Sequence, residues 1–533
     1  VRWWESRPFV AALILLSAVP LLFPDLPPLV ALYGHLGRYR VQLDVASSPW
    51  LDRYYGFDWA AIGNLGVDLL IVPLAPVFGL ELAVKLIVLA IPPMTVAGFL
   101  WVAREVHHRL PPTAMFALPF VYSHPFLFGF ANFALSIALA FLAFGLWLHL
   151  ARRGLLRLRA VLFVPISILI FFAHTYGWGV LGLLCFSAEA VRQHDSGKGW
   201  LRSAVNAALH ASVMALPLLI MIAWRTDTQG KMTFGWFDWD LKLRWLETVL
   251  RDRWRTFDIG ALVLVGLVLA FATVSRKLSF SRNLFFSALV LLAGFVLLPK
   301  MIFGSAYADM RLLPYVIAVF VLAIRFRGET QLPLARTLAV LGLAFFLVRI
   351  GGNTLSLAIA ANDQEAKLDA LEHVPMGARV ASLVGQPCGF AWNMARDTHL
   401  GAMVIVRRHG FSNDQWVMEG MNLLDLNYRR AGVFSSDPSQ MVKSERCGRR
   451  WWSINDALHR LPRDSFDYVW MIDPPPFDQD LLGNMTLIWS GRDARLYRIN
   501  RDGEEPPEAT LRTEAEAGRP AAPPARTASE ARR

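Results

Sequence analysis

A carboxylate, Asp25, closes an apolar run that extends from Pro8 to Phe23, and a segment carrying His35 and Arg38 follows two prolines later. An acid, an imidazole and a guanidinium in that order can accept a proton, donate a hydrogen bond and bind an anion. Further polar groups stand in otherwise apolar surroundings. His124 and Asn132 lie in VYSHPFLFGFANF, His174 in FFAHTYGWG, and Lys300, Asp309 and Arg311 in PKMIFGSAYADMRLLPY. His399 lies in DTHLGAMVIVRRHGF. Each has a plainer reading. Asp25 can simply cap a proline-initiated helix, worth about 1 kcal/mol, and Arg38 can snorkel to lipid headgroups. Interfacial histidines and arginines commonly anchor a span, and His399 can merely start a strand. As a set they gain weight from the elements that would carry them to one depth.

Those elements are membrane spans. The 533 residues are 55% hydrophobic, 12% aromatic and only 18% charged, against about 25% charge in soluble proteins. The apolar residues cluster into runs of roughly the length that crosses a bilayer as a helix. Spans are expected near 8–24, 82–103, 111–128, 130–149, 160–176, 178–191, 203–224, 258–275, 284–299, 312–325 and 333–351. The net charge of +11 resides largely in short connectors such as ARRGLLRLR (Ala151 to Arg159), SRKLSFSR and RFRGE. Basic connectors of this kind stay on the cytoplasmic side, so the charge needs no nucleic-acid partner. Parity over about eleven spans then places the N-terminus inside, and Asp25, the 25–81 loop and the C-terminal region outside. No A-x-A-like cleavage site follows the first run, which reads as a retained span and not a signal peptide.

Two stretches of the 25–81 loop need separate treatment. Leu29, Leu32, Leu36 and Leu43 share a helical face opposite His35, Arg38 and Gln42, which predicts an amphipathic helix on the membrane surface beginning at Pro27 and Pro28. GNLGVDLLIVPLAPVFGL (Gly63 to Leu80) is apolar enough to span, but Asp68, Pro73 and Pro76 favour a re-entrant or interfacial element.

The composition changes near residue 362. ARVASLVG (Ala378 to Gly385), LGAMVIVRR (Leu400 to Arg408), FDYVWMID (Phe466 to Asp473) and ARLYRIN (Ala494 to Asn500) read as strands. NDQEAKLDALEHV and WSINDALHRL have helical spacing. The expected organisation is a transmembrane domain at 1–361, an α/β domain at 362–502 and a disordered tail at 503–533 rich in Pro, Ala, Glu and Arg. Cys388 and Cys447, both in the α/β domain, either pair or remain separate buried thiols. MIDPPP (Met471 to Pro476) ends a strand in Asp473, but no glycine-rich phosphate loop accompanies it, which excludes nucleotide binding.

An acid directly after the first span, a long first loop with surface helices, about eleven spans and a C-terminal domain outside together resemble the GT-C glycosyltransferases, which include protein O-mannosyltransferases and aminoarabinose transferases. PDLPPLVALYGHLGRYR, GFANF, HTYGWG, DMRLLP and HLGAMVIVRRHGF are similar to a group of bacterial membrane proteins related to that superfamily. The resemblance implies a multi-pass protein of the bacterial inner membrane with its C-terminal domain in the periplasm. It implies sugar transfer from a polyprenyl-phosphate donor to an envelope glycan, lipid or protein acceptor, with Asp25 as the base. His35, Arg38, His124, His174, Lys300, Arg311 and His399 are then candidates for substrate or donor-phosphate binding. The first loop has no D-x-D or E-x-D pair, so no metal or other cofactor is expected. A transporter or flippase for a lipid-linked precursor and a non-catalytic scaffold are the alternative functions. A transporter would place polar groups at the bilayer midplane in repeated halves, and no internal repeat is visible here.

Overall fold

The computed structural model describes residues 2–224, 233–328, 331–448 and 450–502. The expected tail, 503–533, lies outside the described residues. A helical bundle occupies the N-terminal two thirds and an open α/β sheet the remainder.

Five helices are long and apolar enough to cross a membrane, and a sixth is reached if the pair around Met214 and Pro217, bent by 65°, is one span. The five include Leu80–His107, Ala131–Arg152, Leu156–Ala173 and Arg255–Val274. Of the remaining expected spans, the one at 178–191 lies in an unbroken 21-residue helix, Thr175–Asp195, that is less apolar than the five, and others are short or broken: Arg7–Leu16 runs into a 3-10 turn, and Ala114–Tyr122 is 3-10 throughout. Prolines explain part of this, because Pro20 and Pro119 lie where an α-helix would need their missing amide hydrogen bonds. Gly66–Phe78, the segment expected to be re-entrant, is a 13-residue helix ended by Gly79 at φ +80°. It is too short for about 30 Å of hydrocarbon.

The last bundle helix, Leu332–Leu368, has 37 residues. At 1.5 Å per residue it is about 55 Å long, well beyond the hydrocarbon thickness. It runs unbroken past residue 361 and carries Gln364 and Lys367 into the α/β region, so NDQEAKLDALEHV is its last turns followed by a 3-10 turn.

The sheet has six strands. Tyr468–Ile472 lies parallel to Arg379–Gly385 at its centre, Ala494–Ile499 and Met485–Gly491 add antiparallel strands on one side, and Phe411–Ser412 and Met441–Val442 pair with Arg379–Gly385 on the other. Three of the four expected strands are present. The fourth is not: Leu400–Ala402 is a 3-10 turn and Met403–Arg408 an α-helix. Its β-branched run, Val404 to Val406, is buried on every side, which satisfies a short core helix as well as a strand. Cys388 and Cys447 form a disulfide with Cα atoms 5.2 Å apart.

The segment read as a surface helix is instead one of the most enclosed elements. It begins at Leu32 rather than at the prolines and ends at Asp44, with Leu32, Tyr33, Gly34, Leu36, Gly37, Arg38, Tyr39 and Val41 all buried. The polarity pattern hid a third face. A Cβ on Gly34 would lie 2.5 Å from the Trp416 ring, and one on Gly37 2.7 Å from Gln415. The two glycines let the α/β region pack directly on helix backbone, where Gln415 Nε2 donates to the Gly34 carbonyl at 3.0 Å.

The bundle and the α/β region are bolted together by buried charge. Arg349 donates to Asp258 at 2.8 Å, Trp392 Nε1 donates to the other oxygen at 2.7 Å, and Asp252 receives Asn353, Ser356 and Arg396. Removing one member strands its partner's charge in the interior, at about 3–5 kcal/mol. Asp258→Ala is therefore expected to lower unfolding stability by about that amount, whereas Asp258→Leu with Arg349→Met should cost less than the single change. Denaturant melts of the purified variants in detergent check both.

Candidate functional site

A cavity of about 560 Å³ lies where the bundle meets the α/β region. It is lined by His35, Arg38, Asn132, His174, Arg251, Arg311, His399 and Asp437 among others, with Phe128, Phe130 and Trp416 as aromatic walls. Five of the eight sequence-derived candidates thus come together from positions up to 364 residues apart.

Arg38 is the most constrained. It donates to Asp68 Oδ1 at 3.2 Å, and Asn132 Nδ2 donates to the same oxygen at 3.0 Å. Asn132 also accepts from the Val67 amide at 2.7 Å and reaches Asn64 at 2.9 Å. Arg38 and Asp68 are nearly fully buried, at 4% and 3% side-chain exposure, so this is a compensated pair that holds the first loop together.

Arg311 differs. It is buried, its guanidinium stacks 3.8 Å over the Phe130 ring, and its one side-chain hydrogen bond among the described residues runs from Nη2 to the Ala306 carbonyl at 2.9 Å, leaving Nε unpartnered. The neighbouring Asp309, which the sequence places beside it, is taken by Lys242 at 2.9 Å and Trp245 at 3.1 Å. Among the described residues Arg311 forms no ion pair. A buried guanidinium with no carboxylate paired to it is electrostatically incomplete, and an anion entering the cavity completes it. Arg251 adds a second cation, anchored by its bonds to the Ala391 and Trp392 carbonyls.

The three imidazoles have their tautomers set by their partners. Arg38 Nη1 can only donate, so His35 Nδ1 accepts at 3.0 Å and His35 carries its proton on Nε2. His174 Nδ1 accepts from the Tyr176 amide at 3.0 Å, again placing N–H at Nε2. His399 is opposite: Nδ1 lies 3.0 Å from the Asp414 carbonyl, which can only accept, so the lone pair is at Nε2. That nitrogen lies 3.9 Å from Asp437 Oδ1. Burial lowers the His399 pKa below the ordinary imidazole value against the opposing pull of Asp437. Burial, then Arg38, His399 and Arg311, push His35 well below it. Two neutral N–H donors and one neutral acceptor therefore face one chamber, flanked by guanidinium groups.

The other candidates are elsewhere. Asp25 is exposed, is not among the cavity's lining residues, and forms no hydrogen bond or ion pair among the described residues. Nor does it cap the helix: Ala31 occupies that position, six residues on. His124 is buried against Thr248 at 3.3 Å and holds the Trp239–Glu247 helix. Lys300 packs beside Gly235, and the cation that pairs with Asp309 is Lys242 on the Trp239–Glu247 helix. Sequence reasoning missed Asp68, Arg251, Trp416 and Asp437. Asp68 had a legible signal, a lone carboxylate in an apolar run, but was taken only as an argument against a span.

A second cavity, of about 590 Å³, adjoins the first and shares His174, Ser305 and Met421 with it. Its other walls are mostly apolar, including Val180, Leu183, Ile222, Leu297 and Leu312 from the bundle helices.

At neutral pH, ¹⁵N NMR of histidine-labelled protein should show His399 as the Nδ1–H tautomer, with His35 and His174 as Nε2–H. His399 should remain neutral on acidification through its ordinary value of about 6.5. Single His→Gln variants assign the signals, and a His399 already charged at pH 6.5 would contradict this geometry.

No family model matches the chain, and no curated protein matches it. The crystal structure of ArnT from Cupriavidus metallidurans in the apo state is similar over 94% of this chain and 98% of that one, at 13% sequence identity and a TM-score of 0.48.

Proposed function

We propose that this protein transfers a glycosyl group from a polyprenyl-phosphate donor to an envelope acceptor. The observation that carries the reading is the junction of two cavities at His174 and Ser305: an apolar slot beside a chamber that contains an anion-deficient guanidinium. That pairing suits an amphiphile with a hydrocarbon tail and a phosphate head. Sugar transfer, as opposed to another reaction of such a lipid, is what the GT-C resemblance of the sequence implies.

In this reading the isoprenoid lies along Leu183, Leu297 and Leu312, and the phosphate lies against Arg311 and Arg251. The acceptor oxygen attacks the anomeric carbon as the bond from that carbon to the phosphate oxygen breaks. The electron pair leaves on the phosphate, where Arg311 and the N–H groups of His35 and His174 stabilise the new charge. The acceptor's hydroxyl proton passes to a base. His399 Nε2 suits that role by tautomer, neutrality and position, with Asp437 3.9 Å away to stabilise the imidazolium that results. Asp25 is the other proposed base, from its place after the first span.

The test uses the full-length protein in lipid nanodiscs, supplied with a panel of labelled polyprenyl-phosphate pentoses and hexoses and an envelope extract. Arg311→Gln should lower turnover about 100-fold or more, and His399→Gln about 10²–10⁴-fold, with folding intact by size exclusion. Because burial depresses the His399 pKa, activity should persist down through pH 6.5 and fall only at lower pH. Asp25→Asn distinguishes the two bases: loss of transfer there with full activity in His399→Gln would move the role to Asp25. If no donor in the panel turns over, the enzymatic reading fails.

A further inference from the structure

A third cavity, of about 520 Å³, is lined by residues that the mechanism above does not use. It shares Gln386, Asn393, Met394 and Ala395 with the phosphate chamber, so the segment 386–395 is a common wall. It also lies at the carboxyl ends of the two central parallel strands, Arg379–Gly385 and Tyr468–Ile472, which deliver Gln386 and Asp473 to it. Ligands of open α/β sheets bind in that crevice. The strand ends meet closely: a Cβ on Gly385 would lie 1.9 Å from the Asp473 carbonyl, so only glycine fits there.

We infer that this cavity holds a neutral, hydroxyl-rich saccharide, the polar part of the acceptor. The identification as acceptor rests on the proposed transfer reaction, whereas the ligand class rests on the cavity itself. Its walls are polar and of both signs. Asp363, Asp397 and Asp473 converge on Lys367 Nζ at 2.7, 2.7 and 2.9 Å. Arg253, Arg396 and Arg492 line the same space. Arg396 is only 5% exposed and uses Nη2 alone, on Asp252, while Nε and Nη1 have no partner; Arg492 Nε is likewise unpartnered.

Charge counting favours a neutral ligand. The Arg396–Asp252 pair cancels, which leaves Lys367, Arg253 and Arg492 against Asp363, Asp397, Asp473 and Asp493. Three positive groups against four negative ones leave the balance nearly even. An anion would meet the carboxylates and a cation the guanidinium groups. Sugar hydroxyls donate to the former and accept from the latter at once, which is what such a surface lacks.

Saturation-transfer NMR on the full-length protein in detergent, with maltose and diacetylchitobiose at millimolar concentration, reads this directly and needs no donor. At least one disaccharide should bind. Binding should weaken tenfold or more in Asp473→Asn/Arg253→Gln, and in Ile359→Trp, which fills the cavity from a 37% exposed helix position without removing any charged group. It should be unchanged in Arg311→Gln. Absence of binding by both disaccharides, or equal binding in Ile359→Trp, overturns the inference. Saccharide binding that meets these expectations without turnover of any donor would uphold the cavity and refute only the transfer reaction.

Discussion

The structure depends on the buried carboxylates Asp252 and Asp258. They lie just before, and in the first turn of, a bundle helix, yet their partners come from another bundle helix and from the α/β region: Arg349, Asn353 and Ser356 on Leu332–Leu368, Trp392 on the wall segment and Arg396 just after it. Each charge is acceptable in the interior only because the others are present. The network therefore works as a joint with one arrangement, and it fixes the segment between the two cavities. The Cys388–Cys447 disulfide ties the outer end of that segment to a loop 59 residues away.

Around this joint, charge compensation separates structural groups from groups available to a ligand. Arg38, Lys242, Arg349 and Lys367 are as buried as Arg311, but each has a carboxylate at 3.2 Å or less. Arg311 has a ring and a carbonyl instead. A buried cation is conserved energetically by its anion, and where the protein provides none among the described residues, the cavity is the natural source. The same comparison distinguishes His399 from His124: both are buried, but His124 meets a threonine in the packed interior, whereas His399 turns its lone pair toward an acid on the cavity wall.

Much of the candidate site was legible one residue at a time. His35, Arg38, His174, Arg311 and His399 attracted notice as polar groups at the ends of apolar runs, where burial is costly and so has a reason. The same rule also selected Asp25, His124 and Lys300, because a boundary position shows that a group is near an interface but not which way it faces. Asp68 is the converse case. It looked like a helix breaker because its partners, Arg38 and Asn132, lie 30 residues before it and 64 after it.

Composition and hydrophobic run length determined that this is a helical, membrane-type bundle followed by an α/β region, since both are local consequences of which side chains avoid water. The strands Arg379–Gly385, Tyr468–Ile472 and Ala494–Ile499 were readable for the same reason. The tertiary structure decided that the Leu32–Asp44 helix is enclosed by glycine contacts, that Leu400–Arg408 is helical, and that Asp309 pairs with Lys242 rather than Arg311. Those outcomes depend on contacts between residues far apart in the chain. Such contacts decide which charges are compensated and which faces are covered, and neither can be read from spacing along one segment.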